Sequence, residues 1–264
     1  MTELLDLLGK GKMYDLAQPY FVGMPHHPAH PPFLFSLIKK HGDYVGPGDV
    51  SSAAEALGLG GHVGTHIDAL CHFTRAGKLH GGESVEPVQS YGGGIERLSV
   101  DTIPPIIRRG VLLDIASIEG VDALDVGFTV TPEHLTAAVQ KQDVHVLAGD
   151  VVLLRTGWAR YWEDAARFIA QVKGPGPGEA AARWLSAHRI FAAGSDTVAF
   201  ERVPDPAMPV HVHLLVESGI HIIECLNLEQ LAADLVYTFV FVAMPLKIRG
   251  ATGSPIRPVA LHVD

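Results

Sequence analysis

Between Gly61 and His72 the chain sets three imidazoles and one carboxylate in the order His62-x3-His66-x-Asp68-x3-His72. Histidine nitrogen and carboxylate oxygen are the usual donors to a borderline divalent ion such as zinc or manganese. All four residues fall on even positions. In an extended segment, where side chains alternate faces with period two, they point the same way. A continuous helix would bring His62 and His66 together at i,i+4 but turn Asp68 to the far side. The metal reading therefore predicts an extended or kinked backbone, which Gly60, Gly61 and Gly64 suit. A lone histidine is more often a hydrogen-bonded surface or core residue, and that reading is kept for His80, His134, His145, His188 and His262.

A second group lies far downstream, where His211, His213, His221 and Glu224 recur. Glu224 stands inside Ile222-Ile223-Glu224-Cys225, and a carboxylate among apolar neighbours needs a partner to offset its burial. A metal ion would be one. His221, three residues before Glu224 in a predicted strand, faces the other way and is assigned to structure. His26, His27 and His30 sit in a proline-rich stretch, 21–33, that cannot be helical, and they are read as a loop lining rather than a second metal site. Serine catalysis finds no Gly-x-Ser-x-Gly elbow, so Ser195 and Asp196 are read as pocket or turn residues. Cys71 and Cys225 are too few for a disulfide framework and are expected to be reduced and buried.

The run His62-x-Gly64-Thr65-His66-x-Asp68-x3-His72 resembles the signature of the metal-dependent cyclase family, which includes bacterial kynurenine formamidases and isatin hydrolases. Gly110–Asp114, Gly149–Trp158 and the run from Pro209 through Gly250-Ala251-Thr252-Gly253-Ser254-Pro255 extend the similarity from about residue 15 to 260. The resemblance implies that His62, His66 and Asp68 hold the principal metal, zinc or manganese, with one or two ions per chain. It makes His72 the catalytic base or proton shuttle. It also pairs Glu224 with a histidine on the preceding helix, as a second metal position or an acid/base pair; His211, which follows Pro209-Val210, is favoured over His213. The implied reaction is hydrolysis of a carbon–nitrogen bond in an aryl formamide or a cyclic amide, such as the tryptophan breakdown product N-formylkynurenine, or isatin. A metal held by three protein groups keeps a position for water and lowers its pKa from about 15.7 to about 7, and His72 or Glu224 would move the proton to the leaving nitrogen. Formamidase-like members carry a proline two residues after the aspartate; here that position is Leu70, which tilts the expectation toward ring opening or another divergent hydrolysis. The competing readings are a cyclase or dehydratase acting on a hydroxy-carbonyl substrate and a metal-binding module without turnover. The family also implies a homo-oligomer, a dimer or tetramer, with the proline-rich segment near the interface.

The elements that must position these groups read as a single α/β domain over residues 1–264, a mixed sheet flanked by helices, for which the resemblance implies a swivelling β/β/α-like arrangement. Short apolar runs at Gly110–Ile115 and Asp150–Arg155 predict buried strands. Helices are predicted over Thr2–Gly9, from Thr131-Pro132, over Ala159–Val172, Glu179–His188, Met208–Ser218 and from Asn227 to Ala232. Further strands are predicted at Met13–Tyr20, Ser51–Leu59, Ile190–Ala193, His221–Cys225 and Leu235–Ala243, a turn at Tyr91–Gly94, and a long loop over Pro245–Pro258. Hydrophobic residues make up 47% and charged residues 19%, enough apolar material for a large core and against disorder. A net charge of −9 without a basic run argues against nucleic acid, and no apolar run reaches the length of a membrane span. The expectation is a cytoplasmic protein with a small-molecule substrate.

Overall fold

The computed structural model describes residues 9–263. Along them run β1 (Lys12–Asp15), β2 (Leu34–Lys39), β3 (Ala54–Gly58), β4 (His66–Asp68), β5 (Gln89–Ser90), β6 (Gly94–Ile95), β7 (Ile106–Asp114), β8 (Thr129–Val130), β9 (Val151–Arg155), β10 (Gly176–Pro177), β11 (Ala192–Ser195), β12 (His221–Glu224), β13 (Thr238–Ala243), β14 (Gly253–Pro255) and β15 (Val259–His262). Nine of them form one mixed sheet in the order β1-β15-β13-β7-β9-β11-β12-β4-β14. The centre, β7-β9-β11-β12, is parallel, and the strands outside it pair antiparallel. Parallel strands covered on both faces lose the hydrophobic/polar alternation, which is why Val151–Arg155 is buried at every position.

Alternate residues of these strands feed two cores. On one face Leu112, Leu153, Ile223 and Phe241 pack with Leu16, Leu79 and Leu231. On the other, Val111, Leu113, Val152, Leu154 and Ile222 meet Leu135, Ala138, Ala181, Leu185, Leu214 and Leu215 of the covering helices. Burying a leucine or valine of this kind contributes roughly 1.5–3 kcal/mol.

The sheet is curled. Laid flat, the seven strand spacings from β15 to β14 would cover roughly 34 Å. The chain goes from Pro255 at the end of β14 to Val259 at the start of β15 in four residues, no more than about 14 Å. The two margins of the sheet are therefore brought together by this one segment. Strand β14, just before this segment, lies inside the stretch 245–258 that the sequence reads as loop; glycine and proline hide its pairing with β4 through Gly253↔Asp68 and Pro255↔His66.

Other boundaries shift for local reasons. The strand expected over Met13–Tyr20 stops at Asp15, after which the backbone turns to the site and Gln18 N–H donates to Thr65 Oγ1 at 2.8 Å. The helix expected over Ala159–Val172 is two pieces, a 3₁₀ turn Trp158–Tyr161 and a helix Ala165–Ile169, because Asp164 caps the second piece through Arg167 N–H and Ala170 turns left-handed at φ 46°. Helices are found at Pro132–Lys141, Glu179–Ala187 and Glu229–Ala233; the one expected over Met208–Ser218 begins at Pro209 and is π-helical from Val212. The helix expected at Thr2–Gly9 falls, over residues 1–8, outside the described residues. Between the loop 21–33 and the metal segment, β2 and β3 pair only with each other and form an arm that exposes Leu34, Phe35, Leu37, Ile38 and Leu57. No helix among the described residues is long and apolar enough to cross a membrane.

Candidate metal centre and active site

The histidine segment is not uniformly extended. Only His66–Asp68 is strand; Gly64, at φ 69°, turns the chain immediately before it, and an alanine Cβ there would sit 2.3 Å from the Tyr20 ring. His66 and Asp68 point to one face of β4, as their spacing of two requires. The antiparallel register then sets Glu224 of β12 opposite His66, so a residue 158 positions downstream enters the same face. His66 Nε2 lies 3.4 Å from Glu224 Oε2 and 3.5 Å from Asp68 Oδ1. From the short helix Pro209–His211, His211 reaches in with Nε2 3.3 Å from Glu224 Oε1 and 3.8 Å from Asp68 Oδ2. His62, before the turn, puts Nδ1 2.7 Å from Asp68 Oδ1 and Nε2 2.9 Å from Thr252 Oγ1. His72 stacks its ring on that of His62 with centroids 3.9 Å apart.

Donor atoms of His62, Asp68 and His72 form one cluster and those of Asp68, His211 and Glu224 another, each with all atoms within 4.8 Å of one another, and Asp68 belongs to both. His213 lies elsewhere, bonded to Ser186 and Glu217. His221 Nδ1 donates to the Asp68 carbonyl at 2.9 Å, so the ring supports β4. Ser195 Oγ is bonded to Thr197 Oγ1, while Asp196 accepts from the Thr156, Gly157 and Trp158 amides; both are buried scaffold. Cys71 and Cys225 are free and buried.

The donor set fits a cation on evidence internal to the site. His66 Nδ1 lies 2.8 Å from the Gly64 carbonyl and must carry the hydrogen, so Nε2 presents a lone pair to two carboxylates. His211 is arranged alike, with Nδ1 2.6 Å from Glu201 Oε1 and Nε2 facing Glu224. His66 Nε2 and Glu224 Oε1 are buried without a hydrogen-bond partner. Lone pairs aimed at one another in a dry site need a positive charge between them, either a proton or a metal. Protons alone leave their mark on the titration. Burial opposes charge on His66 and His211, yet the Glu224 contact raises His66, and Glu201 with Glu224 raises His211 to about 10. Burial also opposes ionisation of Asp68 and Glu224, but His72 and His62 hold Asp68 well below the carboxylate range and His211 with His66 lowers Glu224. His72 goes the other way: enclosed by its neighbours, it is pushed down to about 3, so its imidazole is neutral at pH 7.

Of these groups His62, His72, His211 and Glu224 line a 370 Å³ cavity. Phe73, Val172, Val198, Val203 and Met208 give it apolar walls, and His27 and His30 line it from the proline-rich loop. His30 stacks on His62 with centroids 5.1 Å apart. Among the described residues neither lysine nor arginine lines the cavity, and besides Glu224 the one carboxylate that does is Asp205. Glu201 and Thr252 were not singled out from the sequence. Glu201 is a lone acid beside Phe200, and its partners are a backbone amide and a ring ten residues on, so no spacing marks it.

A family model described as "Putative cyclase" matches residues 14–202. Isatin hydrolase of Roseibium aggregatum is 29% identical over 211 residues, covering 77% of this chain and 72% of its own length. A kynurenine formamidase of Bacillus cereus is 24% identical over 247 residues, 93% of this chain and 95% of its own. Among solved structures, one described as a novel cyclase superposes with a TM-score of 0.89 at 30% identity, over 99% of this chain and 90% of that one. Isatin hydrolase A from Ralstonia solanacearum gives 0.78 at 27%, over 100% and 97%. The fold is thus shared along nearly the whole chain, which belongs to the putative cyclase family.

Proposed function

We propose that the chain is a metal-dependent hydrolase that opens a carbon–nitrogen bond in an aryl formamide or cyclic amide, with uncharged cyclic amides such as isatin ahead of N-formylkynurenine. The observation that carries this reading is the pair of buried, unpartnered atoms, Glu224 Oε1 on a residue that lines an apolar cavity and His66 Nε2 beside Glu224. The relatives named isatin hydrolase and kynurenine formamidase support it. His62, His66, Asp68, His211 and Glu224 would hold one or two divalent ions of zinc or manganese type, which supply a positive charge that polarises a carbonyl and brings the pKa of a water to about 7.

The protein's own contribution starts with the walls. Phe73, Val198, Val203 and Met208 fit a flat apolar body and exclude bulk water, which strengthens every charge interaction on the floor. His72, neutral and facing the cavity, accepts a proton at a ring nitrogen from the attacking water and returns it to the leaving nitrogen. Glu201 fixes the His211 ring, and Thr252 with Asp68 fixes His62. The α-amino acid end of N-formylkynurenine would meet no lysine or arginine in the lining and would face Asp205, which is why a neutral ring is preferred. The exposed apolar arm β2–β3 supports a homo-oligomer, since a two-stranded hairpin is marginal alone.

The test is metal content and turnover together. Protein purified without chelator should carry one or two equivalents of zinc or manganese and hydrolyse isatin, while Asp68→Ala should lose both with its melting curve still cooperative. Turnover retained in Asp68→Ala would remove the metal site from the reaction. Metal and ligand binding without hydrolysis across formamides, cyclic amides and lactones would leave a binding module.

A further inference from the structure

Where the helix Glu179–Ala187 packs on the π-helical turn Val212–Ser218, three side chains outside the metal centre form a directed hydrogen-bond chain. Ser186 Oγ lies 2.8 Å from His213 Nε2, and His213 Nδ1 lies 2.8 Å from Glu217 Oε2. We propose that Ser186, His213 and Glu217 make a second, serine-based acyl-transfer site, suited to small esters that carry negative charge.

The tautomer follows from the partners. A carboxylate only accepts, so His213 Nδ1 carries the hydrogen and Nε2 presents its lone pair to the Ser186 hydroxyl. That is the arrangement in which an imidazole can take a serine proton. Ser218 Oγ lies 3.4 Å from the same nitrogen, and Ser186 Oγ is also 3.1 Å from the Arg183 carbonyl, its other acceptor. Arg75 pairs with Glu217 and holds the distal end of the chain. His213 is only 8% exposed, whereas Ser186 is half-buried and lines an open cavity of 570 Å³ together with Arg183, Arg189, Ser218, Ile190 and Ile220.

In this site the Ser186 Oγ–carbon bond forms as the hydroxyl proton passes to His213 Nε2. The ester carbon–oxygen bond breaks, its electron pair leaves with the alcohol oxygen, and that oxygen takes the proton from Nε2. Water then repeats the sequence on the acyl-serine: its proton goes to Nε2, the acid departs, and Ser186 Oγ recovers the proton. The amides of His188, Arg189 and Ile220 are bonded to the carbonyls of Leu185, Ser186 and Leu214, so they offer no oxyanion hole. The cation left for the developing charge is Arg189, which has no carboxylate partner among the described residues, because Arg183 is tied to Glu179 at 2.6 Å. The site is therefore slow, and its rate rests on the histidine.

The experiment treats the full chain and Asp68→Ala with diisopropyl fluorophosphate, locates the adduct by peptide mass spectrometry, and follows p-nitrophenol release from p-nitrophenyl hydrogen succinate. One adduct is expected, at Ser186, at equal rates in both proteins. It should vanish in Ser186→Ala and form about 100-fold more slowly in His213→Gln. Glu217→Gln should slow it by about tenfold, and this variant carries the comparison if His213→Gln does not fold; Arg189→Ala should remove most of the succinate-ester turnover. Isatin hydrolysis should be unchanged in Ser186→Ala, so failure here and failure of the metal-site reading are separate results. No adduct, an adduct elsewhere, or a Ser186 adduct at wild-type rate in both His213→Gln and Glu217→Gln would reduce the three residues to a clamp between helices.

Discussion

At the scale of single residues, Glu201 carries more of the candidate metal centre than its position suggests. It is buried, and one oxygen accepts from both the His211 amide at 2.9 Å and the His211 ring at 2.6 Å, so it sets the direction of the donor that faces Glu224. Glu201→Gln should weaken metal binding about 10–100-fold, the usual size for a group that orients a ligand, and this is read by competition with a chromophoric chelator. Thr252→Val should free His62 Nε2 and lower isatin kcat/KM by about tenfold with little change in melting temperature. The histidine segment was legible in the sequence because four donors within eleven residues stand out from any background. Glu201 and Thr252 were not, since a residue that acts by touching a ligand's far side leaves no periodicity. The alternation argument reached the correct face for His66 and Asp68, but His62 and His72 arrive there by the turn at Gly64 and by ring stacking rather than by strand parity.

At the scale of elements, that turn is a point of failure. Gly64→Ala forces a side chain into a left-handed conformation and against the Tyr20 ring, and the combined effect should be a loss of roughly 2–4 kcal/mol in chemical denaturation together with loss of bound metal. Gly253 on β14 is similar: an added Cβ would lie 2.5 Å from the His62 ring. The loop leading into β14 is held by Asp101, which accepts from the Ser99 hydroxyl at 2.6 Å and the Gly250 amide at 3.3 Å. The Ser99 hydrogen bond, chiefly, keeps the Asp101 carboxyl below its ordinary range. A depressed folded-state pKa contributes stability that is present above the unfolded value near 3.9 and is lost as pH falls through the lower folded value. Asp101→Asn should therefore melt earlier than wild type at pH 7, and the gap should close below about pH 3.9; a constant gap would assign the effect to shape instead. Strands rich in β-branched residues, such as β9 and β12, were readable from sequence. The Gly-Ser-Pro strand β14 was not, because what makes it a strand is the open flank of β4, a tertiary fact.

At the scale of the whole molecule, the candidate ligands come from the adjacent strands β4 and β12, from the segments on either side of β4 and from the helix Pro209–His211, which lie far apart in sequence. Stripping the metal should lower the melting temperature in a manner that depends on free-ion concentration, with a contribution of about 2.7 kcal/mol at a hundredfold excess over Kd, and calorimetry with and without chelator measures it. His62 meets Thr252, the residue just before β14, across 190 positions of sequence. A chain emerging from the ribosome therefore displays the His62–His72 donors long before Glu224 or Thr252 exists. If the proposed metal site is correct, during that interval the nascent segment would be an open chelator whose choice of ion follows abundance and the general order of transition-metal affinities. Selectivity begins only when the C-terminal third folds over it and the buried carboxylates fix the number and direction of donors. An ion captured at that stage would record the ions present while the protein was being made, and cells grown with manganese in excess over zinc should yield a differently loaded protein of the same sequence.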